Sequence, residues 1–227
     1  IAACIRRMPY RSWHCLYYRC ARCSCRQGRI NPSRTGLPVS SSDGGTGVTI
    51  VIETRRLLLR HFLPTDWQDV HAYAALPEVS QYDAWGPNTE ADSRAFVTSC
   101  IEMASREPVL RHDFAIELKA TKRVIGGCSM KRESADDEHA SLGYAIHPDF
   151  QGRGYATEAT LALIGFGFDA LDLDRIVAQC DTRNGASYRV MEKAGMTRVG
   201  THLNHREIKG RLTHSFEYGI DRTAFRP

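Results

Sequence analysis

The stretch His147-Pro-Asp-Phe-Gln-Gly-Arg-Gly-Tyr-Ala-Thr-Glu158 decides how this chain is read, because it sets a short glycine loop between an apolar strand and a long amphipathic helix. Gly152 and Gly154 let the backbone approach a ligand with no Cβ in the way. The unpaired N–H groups of the helix's first turn point outward at the positive end of its dipole. An anion such as a pyrophosphate fits that geometry. Spacing excludes two competing readings: a dinucleotide loop needs a third glycine where Thr157 stands, and a P-loop needs a Gly-Lys-Ser/Thr ending that is absent.

A Gly-x-Gly turn before a helix is, alone, also compatible with a plain structural turn. Its neighbours narrow the reading. Gln151, Gly154 and Ala156 fit a Gln/Arg-x-x-Gly-x-Gly/Ala pattern, and further on comes Asp181-Thr-Arg-Asn-Gly-Ala-Ser-Tyr-Arg-Val-Met-Glu-Lys-Ala-Gly-Met196. The first segment resembles the acetyl-coenzyme-A loop of the GNAT superfamily of N-acetyltransferases. The second resembles that superfamily's Asn-x-x-Ser motif followed by a Glu-Lys-x-Gly helix end. Glu53-Thr-Arg-Arg-Leu-Leu-Leu-Arg60 is similar to the opening strand of the RimJ/RimL group, which acetylates ribosomal-protein N-termini. The resemblance spans residues 50–222.

Outward from these motifs, composition divides the 227 residues in two. Residues 1–47 hold eight Arg, one Asp and five of the eight cysteines, for a net charge of +7, whereas residues 48–227 carry −3. Cys20-x-x-Cys23 beside His14 and Cys15 suggests zinc ligands, and the arginines a nucleic-acid arm. No second Cys pair follows and Ser, Gly and Pro dominate residues 31–47, so neither metal nor nucleic acid is adopted. Residues 1–47 are read as a disordered or non-native extension, with Val48 as an alternative start, and residues 48–227 as one domain of sufficient size to fold without staples. No apolar run approaches the ~18 residues of a membrane span and no signal-peptide h-region appears, which points to a cytoplasmic protein, as a monomer or a homodimer. Cys100, Cys128 and Cys180 fall in apolar periodic segments and read as packing residues.

Periodicity gives a strand over 49–62, a helix over 66–76 with Thr65 and Gln68 as capping box, and a helix over 90–106 entered at Thr89 and Asp92. Strands follow at 112–118, 123–131 and 140–147. After the glycine loop come a helix to residue 171, a strand at 174–181, a helix at 185–194 closed by Gly195, and strands at 197–206 and 213–221. The pattern is α/β (α+β): a mixed, mostly antiparallel sheet with helices on both faces. The resemblance to GNAT enzymes adds a V-shaped splay between two parallel strands, where the pantetheine arm of acetyl-CoA lies.

On that resemblance, the backbone of Ile146 and His147 pairs with pantetheine, and Gln151, Gly152, Arg153, Gly154, Tyr155 and Ala156 hold the pyrophosphate. Acyl transfer to an amine needs the amine neutral, a donor where negative charge develops, and a proton for the leaving thiolate. The resemblance places the donor near Ile146. Many relatives protonate the thiolate with a Tyr seven residues after the Asn, but Met191 stands there. Ser187 then takes that role, with Asn184 bonding pantetheine or a water; the plain reading of Ser187 is a residue satisfying N–H groups at a helix start. The carboxylate that relatives carry before Gly143-Tyr144 is missing, leaving Glu138 and His139 as base candidates in what also reads as a solvated charge run. His202, His205 and His214 receive no role. Trp85 reads as packing or as a wall of the acceptor site. The expected activity is acetyl-CoA-dependent N-acetylation of a primary amine, on a protein N-terminus or a small molecule, by direct transfer in a ternary complex without metal. The alternative is a CoA-binding sensor or interaction module that has lost turnover.

Overall fold

A computed structural model describes residues 50–226. The readings of residues 1–47, including their cysteines and the position of the domain start, lie outside the described residues. Eight strands form one sheet: β1 (Val51–Glu53), β2 (Leu57–Arg60), β3 (Arg111–Leu118), β4 (Arg123–Lys131), β5 (His139–Ile146), β6 (Arg175–Asp181), β7 (Thr197–Ile208) and β8 (Arg211–Asp221). Their spatial order is β1-β2-β3-β4-β5-β6-β8-β7, antiparallel at every step except the parallel β5–β6 pair.

Helices α1 (Trp67–Ala74), α2 (Pro77–Ser80) and α3 (Glu90–Ala104) precede the central strands, whereas α4 (Tyr155–Asp169) and α5 (Gly185–Lys193) follow them. One face of the sheet is covered by α1 and α3, where Val70, Tyr73, Val97 and Cys100 pack on Phe62, Ala115 and Val124. The other face lies under α4, whose Ala159, Leu163, Ile164 and Phe166 meet Phe114, Ile116, Ile125 and Ile176. Leu163 and Ile164 are fully buried, each side chain contributing about 1.5–3 kcal/mol of transfer free energy. Gly167 explains why a poor helix former sits in α4: a Cβ there would stand 2.8 Å from Met130 Sδ and from Ile176 Cδ1. Its propensity cost of about 1 kcal/mol is the condition for close helix–sheet approach.

The expected architecture forms, with local differences. The single strand expected over 49–62 is a hairpin, because the Thr54 hydroxyl accepts the Leu57 N–H (2.9 Å) and turns the chain. The first helix is entered through a 3-10 turn at Pro64–Asp66, and its brace is the Asp66 carboxylate accepting the Leu63 N–H (2.7 Å) rather than Thr65. Thr89 and Asp92 do form the expected reciprocal cap of α3, at 2.9 and 3.2 Å. The four-residue α2 has no signal in the hydrophobic period, being too short to show one.

Candidate active site

β5 and β6 pair only at His139↔Arg175, Ala140↔Ile176 and Ser141↔Val177, although both strands continue beyond. The rest of β5 stays paired to β4 as far as Gly126↔Ile146, so the sheet opens into a V between β5 and β6. The His147 N–H donates to the Ile125 carbonyl at 2.8 Å. By the alternation of an antiparallel ladder, Ala145 and Gly143 also face β4, while Ile146 and Tyr144 turn their N–H and C=O groups into the gap. This corrects the expectation for His147: its N–H is committed to β4, and the peptide groups offered to a ligand are those of Ile146 and Tyr144.

The open end of the V runs into the glycine loop. Gly152 (φ 72°) and Gly154 (φ 78°) adopt the left-handed conformation, and Gly154 is the N-cap of α4. Glu158 N–H to Gly154 C=O, at 3.0 Å, is the first helical bond, and no backbone N–H from Gly152 through Thr157 donates a hydrogen bond among the described residues. Arg153, Tyr155 and Ala156 thus present their N–H groups with those of the two glycines, the donor array that an oxyanion-rich ligand requires. Gln151 acts differently from expectation. Its side-chain amide donates to the Ile146 carbonyl at 2.9 Å, bracing strand end against loop rather than reaching outward.

A second brace comes from the β1–β2 turn. Arg56 bonds Glu158 through Nε (2.6 Å) and its backbone N–H (2.8 Å), donates to the Arg153 carbonyl (3.0 Å), and stacks over the Tyr155 ring at 4.4 Å. Thr54 adds a 2.7 Å bond to Glu158. Glu158, in the first turn of α4, is therefore neutralised by Arg56 instead of repelling an anion bound there. Sequence reasoning missed Arg56. Its only trace was an arginine pair in the motif at 53–60, which carries no spacing rule linking it to residue 158.

Across the gap lies the start of α5. Asn184 caps it, its Oδ1 accepting the Ser187 N–H at 3.1 Å, so that side-chain oxygen is used within the helix end. The Ser187 hydroxyl is not consumed in that way: it stands 3.2 Å from the Tyr144 hydroxyl, which donates to the Ser187 carbonyl at 2.8 Å. The same serine hydroxyl hydrogen-bonds Cys180, whose thiol burial pushes up to about 11 despite that bond. Tyr144, on β5, thus bridges the V and raises a phenol beside Ser187. Burial also drives its pKa well above the ordinary tyrosine range, so it stands as an un-ionised donor. Met191, where a tyrosine would stand in many relatives, is buried and supplies only packing.

Two hollows adjoin the gap. One, lined mainly by Phe62, Tyr73, Trp85, Phe96, Cys128 and Tyr144, also takes in Asn88, Ser129 and the Arg111–Asp113 pair at 2.7 Å. Trp85 lines this hollow and packs on the α1–α3 core. The other is a polar cleft lined by Tyr82, Asp83, Tyr144, Asn184, Ser187 and Arg206. Burial raises the Asp83 carboxyl to about 6, with Arg206 and Lys209 opposing that rise and Asp181 adding to it. Asp181 itself is engaged by Arg183 at 2.7 and 2.8 Å. Asp83 gave no motif in the sequence because it sits in an aperiodic loop.

Glu138 and His139 are not brought to this site. β5 and β6 are closed at His139, and the Glu138 carbonyl accepts the Asp174 N–H (2.8 Å) at the sealed end of the V, about 16 Å of strand from Gly143. Glu138 is thereby removed as a base candidate by its position. Among the described residues no group of three His, Cys, Asp or Glu side chains is placed to hold a metal, and no helix is long and apolar enough to cross a membrane.

Comparison with known proteins agrees with this geometry. The model of the acetyltransferase (GNAT) domain matches residues 56–197, more than half of the chain. The uncharacterized N-acetyltransferase YnaD of Bacillus subtilis is 36% identical over 150 residues, covering 66% of this chain and 84% of YnaD. An acetyltransferase (GNAT family) from Bacillus anthracis superposes with a TM-score of 0.68 at 30% identity, over 76% of this chain and 98% of that one. The ribosomal L7/L12 α-N-protein acetyltransferase RimL shares the fold, with a TM-score of 0.68 at 20% identity over 82% of this chain and 99% of RimL. A strand pair that opens into a glycine loop at a helix start, found within a chain so matched, places the protein in the GNAT acetyltransferase family.

Proposed function

We propose that the protein transfers an acetyl group directly from acetyl-CoA to a primary amine within a ternary complex. The observation that supports this most is the opening between β5 and β6, with peptide groups turned inward along one side, unpaired N–H groups at its mouth and two hydroxyls on its far wall. The residues present suit acetyl-CoA: Ile146 offers its N–H, and Tyr144 its N–H and C=O, to the pantetheine amides, and the N–H groups of Gly152 to Ala156 face the pyrophosphate. The bound donor supplies an activated thioester.

The chain does the rest. An N–H of β5, from Ile146 or Tyr144, donates to the thioester oxygen where negative charge grows as the amine approaches. The amine nitrogen forms a bond to the acetyl carbon, the carbon–sulfur bond breaks, and its electron pair stays on sulfur. Ser187 donates its hydroxyl proton to that sulfur and regains one from the amine nitrogen, which sheds a proton as the amide forms, while Tyr144, 3.2 Å away, supports the hydroxyl. Asn184 holds the helix end so that Ser187 points into the gap.

The test is release of CoA thiol from acetyl-CoA, followed with peptides of different N-terminal residues, small monoamines and amino acids as acceptors. Acceptor-dependent thiol release with a matching mass gain on the acceptor is the expected result. Tight acetyl-CoA binding with no release across the panel would instead identify a CoA-binding module without turnover.

A further inference from the structure

We propose that the polar cleft beside Ser187 selects a small zwitterionic acceptor, a primary amine carrying a carboxylate nearby, with Asp83 receiving the amine and Arg206 the carboxylate. The proposal rests on the acetyl-transfer reading above and names the acceptor class for that same site. Both side chains line the cleft together with Ser187 and Tyr144, so a ligand held between them lies beside the hydroxyls assigned to the thioester end.

The charges are what make the cleft specific. Asp83 and Arg206 are both partly buried, yet among the described residues neither side chain makes a hydrogen bond or an ion pair. Each has given up water and feels the other's opposite charge without direct contact, an attraction that a ligand bearing the opposite charge at each end replaces with bonded pairs. The other charged groups facing Asp83 are accounted for. Asp181, on β6, is saturated by Arg183, and Lys209, at the β7–β8 turn, donates to the Ser80 carbonyl (2.7 Å) and hydroxyl (3.1 Å). That leaves one carboxylate and one guanidinium sharing the cleft with no hydrogen bond on either among the described residues.

Backbone geometry agrees. The β7–β8 register shifts between His202 and Arg206, with Asn204 at φ 48°, so a bulge sits just before Arg206 and re-aims the strand there. The Lys209–Ser80 bonds tie the hairpin to the loop that carries Asp83, so the two charged residues are held across the cleft by one bridge. A guanidinium offers a planar fork of donors matched to a carboxylate. A peptide acceptor would place a neutral amide against Arg206 where a carboxylate would form a charge-assisted pair.

The experiment compares amino acids with their carboxamides and with short peptides of the same N-terminal residue, measuring kcat/KM by thiol release. The wild-type protein should favour the free carboxylate by about tenfold to a hundredfold, the range of a charge-assisted pair. Arg206→Ala should bring the acid-to-amide ratio close to one, Arg206→Lys should restore part of it, and Asp83→Asn should raise KM for the amine. Acetyl-CoA titration and thermal melting of each variant separate a lost contact from a lost fold. Equal use of acid, amide and peptide by the wild-type protein overturns the zwitterion proposal while leaving acetyl transfer standing. No transfer to any amine overturns both.

Discussion

Ser187 and Tyr144 show how much a single hydroxyl can be asked to do. Ser187→Ala should lower kcat by about 10²-fold with little change in acetyl-CoA affinity, because the hydroxyl's bond to sulfur strengthens only as charge forms there. Tyr144→Phe should have a smaller effect, about tenfold, since it removes the support and leaves the serine. If Ser187 only served the helix end, its loss would show as about 1 kcal/mol of stability with turnover per folded molecule intact, so kcat and melting on one preparation decide. His112 makes a different residue-scale prediction. It is buried, neither ring nitrogen has a partner among the described residues, and burial, with His61 and Arg132 nearby, lowers it to about 4. Its folded value lies below the unfolded value of 6.5, so the unfolded chain takes up the proton first. Stability is therefore fully present above about pH 6.5 and is lost as pH falls toward 4, by on the order of 3 kcal/mol. His112→Leu should flatten that limb of a denaturation series; an unchanged limb would place the titrating group elsewhere.

At the scale of elements, the glycine loop and the turn that grips it form one unit. Gly154→Val would force a branched residue into φ 78° and set its Cβ 3.4 Å from Arg56, so acetyl-CoA affinity should fall by about tenfold or more while the fold persists. Arg56→Ala should weaken binding by a smaller factor, through a loop left unpinned, and isothermal titration of both variants checks the order. Elements with a strong period were legible in the sequence: α3 begins at Glu90, with Thr89 and Asp92 capping as read, and β3, β4 and β6 fall within one residue of the expected bounds. The glycine loop was legible too, because its conformation is dictated by residue type. What escaped were relations between distant segments. Arg56 with Glu158, Tyr144 with Ser187 and Asp83 with Arg206 each join parts of the chain that only the sheet order brings together. Glu138 was misplaced for the same reason, since nothing in a strand's pattern tells which of its ends is open.

For the whole molecule, β3 and β4 contribute to the cores on both faces, so α1 and α3 on one side and α4 on the other should melt as one unit. Acetyl-CoA bound at the V should stabilise that unit. At a concentration of about 100 times its Kd it adds about 2.7 kcal/mol, which for a domain of this size raises Tm by roughly 5–11 °C. Differential scanning fluorimetry against a CoA titration measures it, and a flat Tm would argue that binding is not coupled to the fold as described.

The opening between β5 and β6 also bears on how such a protein changes over generations. On the β5 side its polar groups belong to peptide units, which every residue except proline supplies in full, so most point mutations along β5 leave that grip in place. The cleft is written in side chains at positions 83 and 206, where one nucleotide change can alter the charge. On the proposed assignment of the two sites, donor recognition is buffered against drift and acceptor recognition is exposed to it, so a lineage can exchange one amine for another without losing its source of acetyl groups.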